Sequence, residues 1–220
     1  MYIVFEGIIG TGKSTLSKKL YQYLKKKFPN KNVILTREPG GTEIAQKIRK
    51  VVQGTKFNEE MDPICEAYLY AASRAQALRA IVKPVLDTNG IVVADRSFVT
   101  SLGYQAGARE IGIRETLKIN KAAIENFIPD LVIFLDLDSK IALKTRPPDV
   151  SGDRWEMMNE EFFNKVRKGY LKASKLKMFK GKWLTISVVD DAAGSNSIGK
   201  IEDNFNKILI ATKPYIDKIK

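Results

Sequence analysis

Gly7-Ile8-Ile9-Gly10-Thr11-Gly12-Lys13-Ser14 follows a short apolar run and precedes a stretch in which Leu16, Leu20, Leu24 and Phe28 recur every four residues. The spacing is GxxxxGK[ST], set between a strand pattern and an amphipathic helix pattern. The chemistry needs that order. Glycines allow the backbone a tight turn, so several N–H groups converge on one phosphate chain. The helix N-terminus adds its partial positive charge. In such a loop the lysine, here Lys13, bridges the terminal phosphates, and the hydroxyl after it, Ser14, ligates Mg²⁺. Residues Gly7 through Thr15 are therefore the expected nucleoside triphosphate site. The motif alone leaves open where the γ-phosphoryl goes.

Charge at the ends of other apolar runs narrows this. In an open parallel sheet, ligands bind beyond the C-terminal ends of the strands. Three runs here end as Thr36-Arg37-Glu38-Pro39, Ala94-Asp95-Arg96-Ser97 and Phe134-Leu135-Asp136. Asp95 is the best candidate for a second Mg²⁺ contact, directly or through water; its other reading is an ion pair with a neighbouring arginine. Arg37, Arg49, Arg74 and Arg96 all fall near strand ends or on helices over the same crevice. An NTPase that merely hydrolyses has no obvious use for so many arginines. They point to a second anionic ligand, and so to transfer between two phosphates.

Composition bounds the alternatives. The 220 residues contain no histidine and one cysteine, Cys65. That excludes histidine-based triads, HExxH zinc sites, an internal disulfide and multi-cysteine metal sites. No apolar run approaches the roughly 18–20 residues of a bilayer span, and Met1-Tyr2-Ile3-Val4-Phe5-Glu6 lacks the basic start of a signal peptide. A cytoplasmic location without membrane attachment is the expectation. The 37 basic and 25 acidic residues give a net charge of +12. Lysine runs at Lys18–Lys31 and Lys165–Lys182 read as solvated helix faces, with a polyanion-binding surface as the sharper alternative.

The elements that must position these residues follow from periodicity. Five nearly continuous apolar runs, Tyr2–Glu6, Asn32–Arg37, Gly90–Arg96, Leu131–Leu137 and Trp183–Val189, read as strands covered on both faces. Helical patterns separate them: the stretch behind the first run, Glu66 to about Pro84, Arg114–Asn126, Asn159–Phe179 and Ser197–Ile219. Strands alternating with helices predict an α/β fold, a five-stranded, largely parallel sheet flanked by helices, as a single domain over residues 1–220. Pro39-Gly40-Gly41 and Arg146–Asp153 read as loops, the second because its paired prolines forbid a regular helix.

The residues as a set resemble the thymidylate kinase family. The resemblance runs from Tyr2 to about Leu171. It is carried by Phe5-Glu6-Gly7 before the loop, Thr36-Arg37-Glu38-Pro39-Gly40-Gly41-Thr42, Ala71-Ala72-Ser73-Arg74, Asp95-Arg96, Ser101-Leu102-Gly103-Tyr104-Gln105-Ala106-Gly107, Pro129-Asp130-Leu131 and Gly152-Asp153-Arg154-Trp155-Glu156. It implies the three-layer P-loop NTPase fold, ATP and Mg²⁺, phosphorylation of dTMP to dTDP, and a homodimer. By matching position, Arg49, Arg74 and Arg96 would hold the monophosphate, with Glu38 in the same substrate site and Arg74 also within reach of the base. Tyr70 would stack on thymine, and Ser101 and Gln105 would read its edge. Tyr104 would exclude a 2′-hydroxyl. The Glu38–Pro39 bond is expected to be cis. The segment of about 145–156 resembles the family's lid, with Arg146 and Arg154 supplying catalytic charge beside Lys13 and Arg96.

One position departs from the family. Many relatives with lid arginines carry an acid where this chain has Ile9, near the sugar 3′-hydroxyl. The loop also resembles that of deoxynucleoside kinases, which need a carboxylate base near an uncharged 5′-hydroxyl; Glu6 or Glu38 would have to serve. From a different class, a P-loop ATPase that tracks nucleic acid through its +12 charge would show steep salt dependence. The TREPGGT run and the three phosphate-facing arginines favour the monophosphate kinase.

Overall fold

Five consecutive buried residues, Tyr2–Glu6, form β1, the middle strand of the sheet. The computed structural model of the chain describes residues 1–55, 57–144, 153–188 and 197–219. After β1 come α1 (Lys13–Lys27), β2 (Val33–Arg37), α2 (Glu43–Val52), α3 (Pro63–Ala77), α4 (Lys83–Asp87), β3 (Ile91–Asp95), α5 (Phe98–Gly103) and α6 (Ile113–Ile124). Then follow β4 (Leu131–Asp136), α7 (Ser139–Lys144), α8 (Glu160–Ala173), β5 (Trp183–Ser187) and α9 (Ser197–Ile216). Among the described residues the strands make one all-parallel sheet in the order β2-β3-β1-β4-β5. No helix among them is long and apolar enough to cross a membrane.

Alternation along the strands divides the interior into two cores. Tyr2 and Val4 of β1 share one face with Val92, Ala94, Val132 and Phe134, covered by Phe98, Leu102, Phe163 and Tyr170 of α5 and α8. Ile3 and Phe5 share the other with Ile91, Val93, Ile133 and Leu135, covered by Leu16, Leu20 and Leu24 of α1 and Ile208 of α9. The three inner strands are thus covered on both faces, as their continuous hydrophobicity implies. The edge strands are not. In β2, Leu35 is 38% exposed, and in β5 Ile186 alone is buried. An edge strand lacks a neighbour on one side, so helices cover it less completely.

Two helices end differently from their sequence patterns. The helical stretch after Pro63 does not stop at Pro84. A π turn over Leu78–Val82 leads into α4, and Pro84 sits in the first turn of α4, where no intrahelical N–H is required of it. α8 stops at Ala173 rather than running to Phe179. The chain turns there and buries Phe179 between Phe98, at 5.9 Å, and Trp183, at 5.4 Å. Part of the first lysine run is paired across the surface: Lys19 with Glu202 at 2.5 Å and Lys27 with Asp217 at 3.0 Å tie α1 to α9 and the residue just after it. Such exposed pairs contribute about 0–1 kcal/mol each.

Candidate active site

The phosphate loop leaves β1 at Gly7, where φ is +149° and a Cβ would lie 2.7 Å from the Leu135 carbonyl oxygen. Only glycine fits that approach. Gly12, at φ +78°, is the N-cap of α1; among the described residues no side chain caps this end, and its first turn contains no acid. The N–H groups of that turn stay open toward the loop, as anion binding requires. Lys13 is buried, and its Nζ donates to the Ile8 carbonyl at 2.5 Å and to Thr11 Oγ1 at 3.1 Å. Burial lowers this ammonium to about 7; Arg96 adds to the effect, and Asp95 and Glu6 oppose it.

Ser14 Oγ donates to Asp95 Oδ2 at 2.5 Å. Asp95 Oδ1 is buried and has no partner among the described residues. A hydroxyl beside a carboxylate with an unspent oxygen suits a hard divalent cation such as Mg²⁺. The two residues singled out for that ion therefore fit it.

A cavity of about 290 Å³ opens beside the loop. Its walls carry the cations Lys13, Arg37, Arg49 and Arg96, the aromatic rings Tyr70, Tyr104 and Trp155, and the amides Gln53 and Gln105. Arg96 follows β3 in a left-handed conformation, φ +77°, which is costly for a residue with a side chain. Its Nη1 donates to the Gly7 carbonyl at 3.1 Å and to the Tyr170 hydroxyl at 3.3 Å, with the guanidinium over the Tyr104 ring at 5.4 Å. Arg49 Nη1 donates to the Pro39 carbonyl at 3.1 Å; burial lowers this guanidinium, and Arg37 pushes the same way.

The loop after β2 closes the opposite wall. Glu38–Pro39 is cis, and Gly40 and Gly41 take φ of +132° and +90°. Glu38 is buried and accepts from Arg74 Nε at 2.7 Å. Burial raises its carboxyl, and Arg74 opposes that rise. Glu6, fully buried, accepts from Ser97 N–H at 2.8 Å, Ser97 Oγ at 2.7 Å, Thr100 Oγ1 at 2.6 Å and the Tyr170 hydroxyl at 3.0 Å. Each of the two carboxylates that could serve a deoxynucleoside kinase as its base is therefore already engaged.

The family model for thymidylate kinase matches residues 5–192. The chain belongs to the thymidylate kinase family. A thymidylate kinase of Mycoplasma mobile is 36% identical over 211 residues, covering 95% of this chain and 99% of that protein. One of Thermosipho africanus is 43% identical over 177 residues, covering 80% and 86%. The crystal structure of thymidylate kinase from Ehrlichia chaffeensis superposes with a TM-score of 0.75 at 26% identity, covering 96% of this chain and 97% of that one.

In this chain, Ile9, Gly10, Lys13, Ser14, Glu38, Arg49, Tyr70, Asp95, Arg96, Tyr104 and Gln105 come together on one cavity. Ile9 brings an apolar side chain to that cavity. The Tyr104 hydroxyl is buried and unpartnered among the described residues. Tyr70 accepts at its hydroxyl from Trp155 Nε1 at 2.6 Å. Arg74 and Ser101 lie behind the wall rather than on it. Arg74 divides its guanidinium among Glu38, Asn120 Oδ1, the Ser97 carbonyl at 3.4 Å and Ser101 Oγ at 3.5 Å. Arg154 donates from Nη2 to Glu66 Oε2 at 2.5 Å and does not line the cavity. Arg146 lies outside the described residues. Asp136, the charge at the end of β4, is held by Arg167 at 2.5 and 2.9 Å.

Residues that sequence reasoning assigned no role also shape the site. Gln53, just past α2, and Thr100, on α5, line the cavity. Neither carries a local signal, since each is an ordinary polar residue at a helix end or face. Asp153 and Trp155 also line it; their signal was their place beside Arg154 in the lid motif. Glu66, a carboxylate on an alanine-rich helix, looks like any solvated helix acid until packing buries it.

Proposed function

We propose that this enzyme transfers the γ-phosphoryl of ATP to the 5′-phosphate of dTMP, giving dTDP and ADP. The observation that carries the reading is the single cavity that joins Lys13 and Ser14 of the phosphate loop to Arg37, Arg49 and Arg96, and those to Tyr70, Tyr104 and Gln105. An oxygen of the dTMP phosphate attacks the γ-phosphorus, the bond from that phosphorus to the β,γ-bridging oxygen breaks, and ADP leaves with the electron pair. A phosphate monoester is already largely ionised at neutral pH, so the acceptor needs no general base. That agrees with a site whose Glu6 and Glu38 are committed to neighbours. Lys13 would follow the charge that builds on the transferring group, while Arg49 and Arg96 hold the acceptor phosphate in line. Ser14 and Asp95 would hold Mg²⁺, which when bound neutralises charge on the phosphate oxygens. Arg74 would act through Glu38 and Ser101, which it keeps in place. Tyr70 would stack on the base, Gln105 would face its edge from the cavity wall with Ser101 just behind that wall, and Tyr104 would fill the space a 2′-hydroxyl needs.

The test is ADP release with ATP·Mg²⁺ against dTMP, dUMP, dCMP and thymidine. dTMP should be the best acceptor. Faster turnover of thymidine than of dTMP would replace this reading with a deoxynucleoside kinase.

The lid of about 145–156, with Arg146 and Arg154, belongs to the same proposal. Arg154 has a buried Nε without a partner among the described residues, and Glu66 keeps Arg109 and Gln105 if Arg154 turns away. Arg154→Ala should lower kcat at least tenfold with little change in the KM for dTMP, as expected for a group acting on developing charge; arginine fingers elsewhere contribute about 10³–10⁵. A smaller loss would make Arg154 a structural partner of Glu66 alone.

A cytoplasmic homodimer completes the proposal. Ile44, Ile64 and Tyr68 are large, apolar and about half exposed on α2 and α3. Ile44 and Tyr68 line a groove together with Ala71, Ala72 and Ala75 of α3 and Ala122 of α6. A second copy of the chain would cover that face. Sedimentation should give twice the chain mass, and Tyr68→Glu should give the single mass; a parent that sediments as one chain removes this part.

A further inference from the structure

We infer that Glu66 is a positioning residue that decides which bases the cavity accepts, by locking the orientation of the Gln105 amide. This rests on the dTMP reading above. Glu66, on α3, is 0% exposed and does not line the cavity. Its Oε1 accepts from Gln105 Nε2 at 2.7 Å; its Oε2 accepts from Arg109 Nε at 3.1 Å and Arg154 Nη2 at 2.5 Å. Both guanidinium groups lie over the Trp155 ring, at 5.1 and 4.8 Å.

A carboxylate flanked by two guanidinium groups only accepts hydrogen bonds, so the Gln105 atom facing it is the nitrogen. Turning the amide over would set two oxygen acceptors against each other in a buried place, with no proton between them. The locked amide spends one N–H on Glu66. It leaves Oε1 and the second N–H of Nε2 for the cavity that Gln105 lines.

That pair has a definite complement. Thymine offers a donor, N3–H, beside an acceptor, O4. Cytosine offers the reverse, an acceptor at N3 beside the amino group on C4. An amide free to turn over serves both bases equally. An amide locked by Glu66 serves only the first pattern, and a site left with mismatched polar groups discriminates strongly. Uracil shares the thymine pattern, so the lock separates dTMP and dUMP from dCMP and leaves the 5-methyl group to other contacts.

The experiment compares kcat/KM for dTMP and dCMP in the parent and in Glu66→Gln. The introduced amide keeps the shape of the side chain, but its oxygen is needed by Arg109 and Arg154, so its nitrogen faces Gln105 and favours the turned-over amide. The dTMP-to-dCMP ratio should fall by about tenfold or more. This ratio, taken on one preparation, does not depend on how much of the variant is folded. Equal losses for both nucleotides, with the ratio preserved, would reduce Glu66 to a structural role and overturn the inference while the kinase reading stands. A parent inactive on dTMP would overturn the reading and the inference with it. Should Glu66→Gln give no soluble enzyme, the parent decides by nitrogen-15 NMR of the Gln105 side-chain amide. The proton bonded to Glu66 should keep its shift on saturation with dTMP or dCMP. Its loss on adding dCMP would show that the amide turns over freely, against the inference.

Discussion

Lys13→Ala should lower kcat for ATP-dependent dTMP phosphorylation by about 10²–10³-fold or more, and leave the ligand-free protein at least as stable as its parent. The two halves have one cause. Lys13 is buried against the Ile8 carbonyl and the Thr11 hydroxyl, and burial, with Arg96 adding to it, brings its ammonium from the usual 10.5 down to about 7. The fold therefore holds a cation that it does not favour, in the place where a polyphosphate would need one. Alanine removes both the charge and the cost of burying it, a trade of stability against activity common at such sites. The pH dependence has a definite sign. Below about pH 7 the lysine is charged in both folded and unfolded chains, and folding carries the whole cost. Above about 10.5 it is neutral in both, and the cost is gone. Between those values the unfolded chain binds more protons, so this group makes the parent more stable as pH rises. The variant should lack that rise. Coupled ADP release gives the first half and thermal melts at pH 6.5 and 9 the second. Turnover within threefold of the parent would sink the mechanism; a large fall in melting temperature would show that Lys13 supports the loop rather than burdening it.

Arg74→Ala should be the most destabilising single change in the site. Arg74 and Glu38 form an ion pair with side chains only 3% and 6% exposed. The same guanidinium also meets Asn120, the Ser97 carbonyl and Ser101. Removing it leaves a buried carboxylate without its cation, which costs about 3–5 kcal/mol. For a chain of this size that is a drop in melting temperature of roughly 6–20 °C. Arg74→Lys should recover only part of it, because an ammonium cannot span partners on α5, α6 and the loop after β2 as a planar fork does. Calorimetry on the three proteins reads the effect. A drop under 3 °C for Arg74→Ala would mean that Glu38 is stabilised by something other than Arg74.

Much of this enzyme was legible because its signals are local. A phosphate loop needs glycines at positive φ, a lysine and a hydroxyl within eight consecutive residues, and Gly7 through Ser14 satisfy that in any sheet context. The three inner strands announced themselves because burial on both faces requires uninterrupted apolar residues. The turn at Pro39–Gly41 declared itself through residue types that few other backbones tolerate. The resemblance to thymidylate kinase rested on such compact runs, which is why the family match over residues 5–192 agrees with it.

Tertiary structure decided what depends on partners far along the chain. Arg49, Arg74 and Arg96 look alike as three arginines over one crevice, yet Arg49 and Arg96 reach the cavity while Arg74 turns to Glu38, 36 residues away. Glu66 reads as a helix-surface acid, and only the packing of α3 against the segment carrying Gln105, Arg109 and, 88 residues on, Arg154 makes it a buried junction. β2 and β5 look like inner strands in composition and are edges because of the strand order alone. In each case the backbone preference of the residue is the same in either arrangement. What differs is which distant group relieves the cost of burying its charge or covers its apolar surface, and that is a property of the folded whole.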